Sequence, residues 1–269
     1  MKITILVDNY ATQLSSLSKR LLSEWGGLRH MCMIIGYYMI RDLRGTALLN
    51  NMRALGIDLN EPEYLVISHR HIDHTGGVRA FLNARSRPIK MIAHTNLFTK
   101  AYATSEGGKL EDISVDFTRE YLESRGGVEL ILIKEPYRIA NDVIVSGEIP
   151  RKWGGPSHTG AVTDEVPDDM ALYIKHPNGL IALTGCGHSG GVENIVEYGF
   201  QVTGLNKLYA VIGGLHFMGL SEDRIRQVTN YLANKSPSIV IGTTVRVFLV
   251  LQPCTMLCQG RLGLVVLVP

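Results

Sequence analysis

Short apolar, β-branched runs alternate along the chain with amphipathic stretches, and turn residues separate them. Residues 3–7 (ITILV) read as a first strand. Residues 46–55 predict a helix: Thr46 can cap its start, Leu48, Met52 and Leu55 share a face, and Gly56 supplies the stop. Residues 64–68 form a buried-strand pattern, and 89–93, 128–133 and 142–146 are shorter strand candidates. Residues 171–174 and 180–184 flank Pro177-Asn178-Gly179, which predicts a hairpin. Residues 208–212 give another buried strand, ending at Gly213-Gly214; 223–232 are helical and 239–241 extended. The alternation is mixed α/β with antiparallel pieces. One layered domain over residues 1–269, sheets inside and helices outside, accounts for it.

Composition narrows the class. Of 269 residues, 45% are hydrophobic and 19% charged, which supplies a large core and excludes a disordered chain, a collagen-like repeat and a disulfide mini-protein. Lys+Arg is 27 against Asp+Glu 25, a net charge of +2, so no nucleic-acid partner is expected. No apolar run reaches the roughly 18 residues of a membrane helix; the nearest, Ser238 to Leu251, is broken by Arg246. Four cysteines and an N-terminus that reads as a strand point to a reducing, cytoplasmic setting. Nothing in the pattern fixes an oligomeric state.

The chemistry concentrates at His69-Arg70-His71-Ile72-Asp73-His74, directly after a buried strand. Three imidazoles and a carboxylate within six residues suit a borderline divalent metal. In extended chain, His69 and His71 point to one side and can grip one ion; Asp73 and His74 lie past a bend and can reach a second. Two ions sharing a water generate a nucleophile near neutral pH. The bland alternative is a histidine-rich surface turn.

The motif resembles that of the metallo-β-lactamase-fold superfamily. The resemblance implies an αββα sandwich, two mixed β-sheets flanked by helices, with a dinuclear metal site at one edge. It also implies a later metal histidine after a strand. Thr184-Gly185-Cys186-Gly187-His188-Ser189-Gly190-Gly191 fits, with His188 completing the first ion's set beside His69 and His71. That string, with Ile212-Gly213-Gly214-Leu215-His216, is similar to the branch containing 7,8-dihydropterin-6-methyl-4-(β-D-ribofuranosyl)-aminobenzene-5′-phosphate synthase. Val7-Asp8-Asn9, Glu24-Trp25-Gly26, residues 147–150 and Asp168-Asp169 match as well. His216 is open between metal ligand, substrate contact and packed loop histidine.

The implied activity is a metal-dependent hydrolase-type reaction on a small phosphorylated, ester or lactone substrate. Asp73 and His74 hold the second ion and orient water, and Asp73 can accept the nucleophile's proton. Two divalent ions are implied, zinc first, with manganese, iron, cobalt or magnesium as other choices. The alternatives are a transferase forming a pterin–aminobenzene C–N bond and an inactive or mononuclear ligand-binding member. Trp25, Trp153 and His158 are pocket-lining candidates.

The chain departs from the family pattern after its last long strand. The family's final metal histidine, in a His-Cys-Thr-Gly string, is replaced here by Gly242-Thr243-Thr244-Val245-Arg246-Val247, and no histidine follows His216. The second ion is then left with Asp73 and His74, too few protein ligands for a firm four-coordinate site. A shift of reading frame over residues 243–247 permits His-Cys-Thr-Gly, and continuing it to Gly260 permits a helix and its stop. The crowded residues 28–40 admit a similar shift. We read both stretches as frame-shifted; the alternative is a diverged protein, in which Cys254 and Cys258 stand at helical metal or redox spacing.

Overall fold

The computed structural model describes residues 31–34, 45–104, 108–154, 157–159, 162–217, 220–243 and 265–267. The elements in the first half are β1 (Met31–Ile34), α1 (Thr46–Ala54), β2 (Tyr64–Ile67), α2 (Ile72–Thr75), α3 (Val78–Ala84), β3 (Ile89–His94), β4 (Tyr102–Thr104), β5 (Leu110–Asp112), α4 (Arg119–Arg125) and β6 (Val128–Ile133). The second half holds β7 (Tyr137–Ala140), β8 (Val143–Val145), β9 (Ser157–Thr159), β10 (Val162–Asp164), β11 (Ala171–His176), β12 (Gly179–Thr184), α5 (Val192–Thr203), β13 (Leu208–Gly214), α6 (Glu222–Lys235), β14 (Ile239–Thr243) and β15 (Val265–Leu267).

Among these residues there are two principal sheets. The smaller has the order β1-β2-β3-β6 and its described strands all run parallel. The larger has the order β15-β14-β13-β12-β11-β8-β7 and is mixed, with β12, β13 and β14 parallel and the rest antiparallel. Successive strand residues point to opposite faces, so each buried strand feeds two cores. In β2, Leu65 and Ile67 pack with α1, α3 and α4, whereas Val66 packs between the sheets. In β12, Leu180 and Ala182 meet α5, whereas Ile181 and Leu183 face the smaller sheet. Three apolar clusters thus separate four layers, helix, sheet, sheet, helix, which is the αββα sandwich.

The predicted elements reappear with small changes of boundary. The 46–55 helix closes at Ala54, with the Gly56 N–H bonded to the Arg53 carbonyl and Gly56 at φ +65°. The 171–184 hairpin turns through Pro177 and Asn178, since His176 pairs with Gly179. β13 ends at Gly213 and Gly214 as predicted, both still within the ladder and paired to Gly242 and Thr243. The short pairs β4/β5 and β9/β10 gave no sequence signal: three-residue strands have no room for a period-2 pattern, and β5 is exposed throughout. The 3–7 strand lies outside the described residues. So does most of the 28–40 stretch, of which Met31–Ile34 is a strand parallel to β2. Among the described residues no helix is long and apolar enough to cross a membrane.

Candidate metal centre

The parallel strands β2, β12 and β13 all end at one edge of the sandwich, and the segment leaving each one delivers chemistry. A strand end is where the chain can turn polar groups inward without losing ladder hydrogen bonds, so ligand sites gather there. After β2, the chain stays extended through His71 (φ −63°, ψ 142°) and then makes the single turn of α2. That turn carries Asp73 and His74 back over His69, whose ring centroid lies 4.1 Å from that of His74 and 4.7 Å from that of His71. Ser68 sits beneath, fully buried, with Oγ 3.2 Å from Nδ1 of His69 and 3.4 Å from Nδ1 of His74. A hydroxyl oxygen has two lone pairs and can accept from both rings, which leaves Nε2 of each without its proton.

The second segment follows β12. Gly185 abuts the Ser68 side chain so closely that no Cβ would fit. Gly187 is at φ +82°, and a Cβ there would stand 2.6 Å from the Gly214 carbonyl oxygen. The Gly214 N–H in turn donates to the Gly185 carbonyl at 3.0 Å. The glycines of this string therefore let two backbones touch, and that contact brings His188 to 4.8 Å from His69 and 5.2 Å from His71, ring centre to ring centre. Ser189 fixes the loop by donating its N–H (2.8 Å) and its hydroxyl to the buried Asp169 carboxylate. Burial, opposed by these two bonds, raises the Asp169 pKa to about 6. The third segment, after β13, supplies His216, 4.3 Å from the His188 ring and at φ +45°.

Donor atoms of His69, His71 and His188 lie within 4.8 Å of one another; so do those of His69, Asp73 and His74, and those of Cys186, His188 and His216. All five predicted metal residues and His216 are thus brought together, from positions as much as 147 apart in sequence. The protonation states suit a cation. Burial, then the neighbouring imidazoles, hold His69 and His188 well below the usual histidine value, and burial lowers His74 to about 4. Burial also lowers His216. Neutral imidazoles are the ligand form. The buried Nε2 of His69 has no hydrogen-bond partner among the described residues. An orphaned buried nitrogen is costly unless something fills the place, and a divalent ion would. On this observation the residues fit the metal.

An acidic frame not legible in the sequence holds the first segment. His71 Nε2 lies 3.1 Å from Asp164 Oδ2, which leaves Nδ1 as its donor atom. Arg70, buried between the histidines, donates to both Asp164 oxygens at 2.6 and 2.8 Å and forms an ion pair with Asp168. The Arg70 backbone N–H also reaches Asp168 Oδ2 at 2.6 Å. Bonds from His71, the Val166 N–H and Arg70 outweigh burial and hold the Asp164 carboxyl well below the usual range. Asp164 is 93 residues from His71, so no spacing rule could have paired them. Of the pocket candidates, Trp153 is exposed (40%), while Trp25 and the His158 side chain lie outside the described residues. The frame-shift reading falls at the end of β14: Thr243 pairs with Gly214 at this same edge, and residues 244–260 lie outside the described residues.

Residues 37–133 match the metallo-beta-lactamase superfamily model. The chain is 34% identical over 180 residues to an uncharacterised protein, MJ0448, of Methanocaldococcus jannaschii, covering 64% of this chain and 65% of that one. It is 31% identical over 190 residues to 7,8-dihydropterin-6-methyl-4-(beta-D-ribofuranosyl)-aminobenzene-5'-phosphate synthase of the same organism, covering 66% of this chain and 64% of the relative. The chain therefore spans somewhat under two thirds of the length of both. Among solved structures it is similar to Tm1679, described as a metal-dependent hydrolase of the β-lactamase superfamily, with a TM-score of 0.60, 21% identity and 73% of each chain covered. That likeness concerns the fold.

Proposed function

We propose, because the chain belongs to the metallo-β-lactamase superfamily, that it is a metal-dependent hydrolase-type enzyme acting on a small phosphorylated, ester or lactone substrate. The observation behind this reading is the convergence of three buried imidazoles, His69, His71 and His188, backed by an acidic frame. They would hold the first ion, and Asp73 and His74 would contribute to a second. A divalent ion so held polarises a phosphoryl or acyl oxygen and acidifies water. Asp73 is the most exposed of the five, its side chain 23% accessible, and its Oδ2 lies 3.5 Å from His74 Nε2. It can therefore meet substrate and accept a proton from the attacking nucleophile. The other ligands are buried and keep bulk water from the site.

The test is turnover of a phosphodiester ester and a lactone by zinc- or manganese-loaded protein. His69→Ala and His71→Ala should remove turnover, and Asp73→Asn should lower kcat by about 10²- to 10⁴-fold. Activity indifferent to chelation, or undiminished in His69→Ala, overturns the reading. The 31% identity to the pterin synthase supports a second reading, a transferase in which the metals steady a departing pyrophosphate during C–N bond formation. Pyrophosphate release that depends on an aminobenzene acceptor, without hydrolysis of the simple esters, would select it.

A further inference from the structure

The loop after β8 runs beside the metal centre and is held there by a buried amide. Asn194, in the first turn of α5, accepts from the Lys152 N–H (2.8 Å) and the Trp153 N–H (3.1 Å). It donates to the carbonyls of Trp153 (2.9 Å) and Ser189 (2.8 Å). A Cβ on Gly190 would stand 2.6 Å from the Trp153 carbonyl oxygen, so residues 151–153 lie against the backbone that follows His188. Arg151 leads this segment and is half-buried. Its Nη2 donates to the Val166 carbonyl at 2.8 Å, its one side-chain hydrogen bond among the described residues, and no carboxylate among them pairs with it.

Val166 ties this arginine to the metal ligands. It is buried at φ +43°, a costly conformation for a β-branched residue. Held so, its N–H donates to Asp164 Oδ1 (2.9 Å), and its carbonyl accepts from Arg151 and from the Asp169 N–H (3.1 Å). Asp164 faces His71, and Asp169 holds Ser189 beside His188, so one strained residue links the guanidinium to both sides of the histidine set. The charge reaches that set: His188 is lowered by burial, then by its neighbouring imidazoles, then by Arg151. A guanidinium here adds positive charge beside imidazoles suited to a divalent cation. The nearby carboxylates are already engaged, Asp164 and Asp168 by Arg70 and Asp169 by Ser189. A ligand carrying its own negative charge would balance it. The planar fork of N–H groups matches phosphoryl oxygens. We propose that Arg151 selects a phosphorylated substrate, its remaining N–H groups binding a non-bridging oxygen of a phosphoryl group held at the metal centre. A lactone or a neutral ester offers no such anion.

The inference rests on the metal-dependent reading above and deepens it by choosing among its substrate classes; the experiment separates the two. Zinc-loaded protein is titrated calorimetrically with methylphosphonate, a stable phosphoryl anion, and bound zinc is counted on the same samples. The wild type should bind the phosphonate. Arg151→Gln should keep its zinc and lose about 10- to 100-fold in phosphonate affinity. Arg151→Lys keeps the charge but not the fork, so it should fall between the two, and it serves if Arg151→Gln does not fold. Lys152→Gln removes the same charge one residue on, at an exposed and screened position, and should stay within about 2-fold of wild type. Three results overturn this inference and leave the metal centre standing: a zinc-loaded wild type that binds no phosphonate, undiminished affinity in Arg151→Gln (or in Arg151→Lys where the first does not fold), and an equal loss in Lys152→Gln. Zinc lost together with phosphonate in Arg151→Gln makes the arginine a support of the centre and overturns it too. Wild-type protein that takes up no zinc overturns the metal-dependent reading and this inference with it.

Discussion

Asp164 shows how one residue outside the motif can govern it. It accepts from His71 on one side and from the Arg70 guanidinium on the other, and Asp168 anchors the far end of that guanidinium. A metal-bound histidine needs a partner on its second nitrogen to fix ring orientation and tautomer, and removing such a partner typically costs 10- to 100-fold in affinity. Asp164→Asn should therefore lower zinc affinity by about that factor, read by competition with a chromophoric chelator. Arg70 keeps Asp168, so far-ultraviolet circular dichroism should be unchanged; full affinity in the variant would mean that His71 is oriented by packing alone.

Among elements, the glycine-rich segment after β12 and the end of β13 act as one unit. Gly187 has φ +82° and faces the Gly214 carbonyl oxygen. Gly187→Ala introduces both a left-handed Cβ and a contact 2.6 Å long, so the loop must move. A loss of about 1–3 kcal/mol is expected, with a fall in metal affinity because His188 is the next residue. Thermal denaturation with and without zinc would separate the two effects. The inter-sheet core is a contrasting case. Leu172 is fully buried there beside Val145, and Leu172→Ala should cost about 2–5 kcal/mol while leaving metal stoichiometry intact. Unfolding midpoints and bound-metal analysis on the same samples check this.

For the molecule as a whole, acid sensitivity follows from the buried imidazoles. His69, His74, His94, His188 and His216 all have depressed values, His74 falling from 6.5 to about 4. Between those limits the unfolded chain binds protons that the folded chain refuses, so stability falls as pH drops through the window. Asp169 acts in the opposite sense, since its carboxyl at about 6 keeps a proton in the folded state that the unfolded chain has lost. Burial raises the Asp116 and Asp168 carboxyls in the same sense and lowers His176 as well, so three carboxyls are set against six imidazoles, and the histidines win. The metal-free protein should become less stable from about pH 6.5 to about 4, measured by urea midpoints across that range. Zinc at about 100 times its Kd should add about 2.7 kcal/mol at neutral pH, and acid should remove it. The end of β14 reaches this same edge, so a re-read of the coding DNA over residues 243–261 bears on the whole site. A restored His-Cys-Thr-Gly would add a ligand there; an intact frame leaves the triads of the described residues.

The sequence by itself determined the longer strands and the histidine cluster that follows one of them, and the family resemblance pointed to His188. Those signals are local: apolar runs mark buried strands, and imidazoles crowded after one have few uses besides a metal. His216 was visible as a residue after a strand, with its role open. The tertiary structure alone decided what surrounds them. Asp164 and Asp168 reach Arg70 across 94 and 98 residues, and Ser68 finds His74 only because α2 turns back. Cys186 comes within reach of His216 only where two glycine-lined backbones touch. Such contacts depend on which loops the layers bring to one edge. A one-dimensional pattern records periodicity and spacing, whereas the meeting of distant strand ends is set by packing of the two sheets.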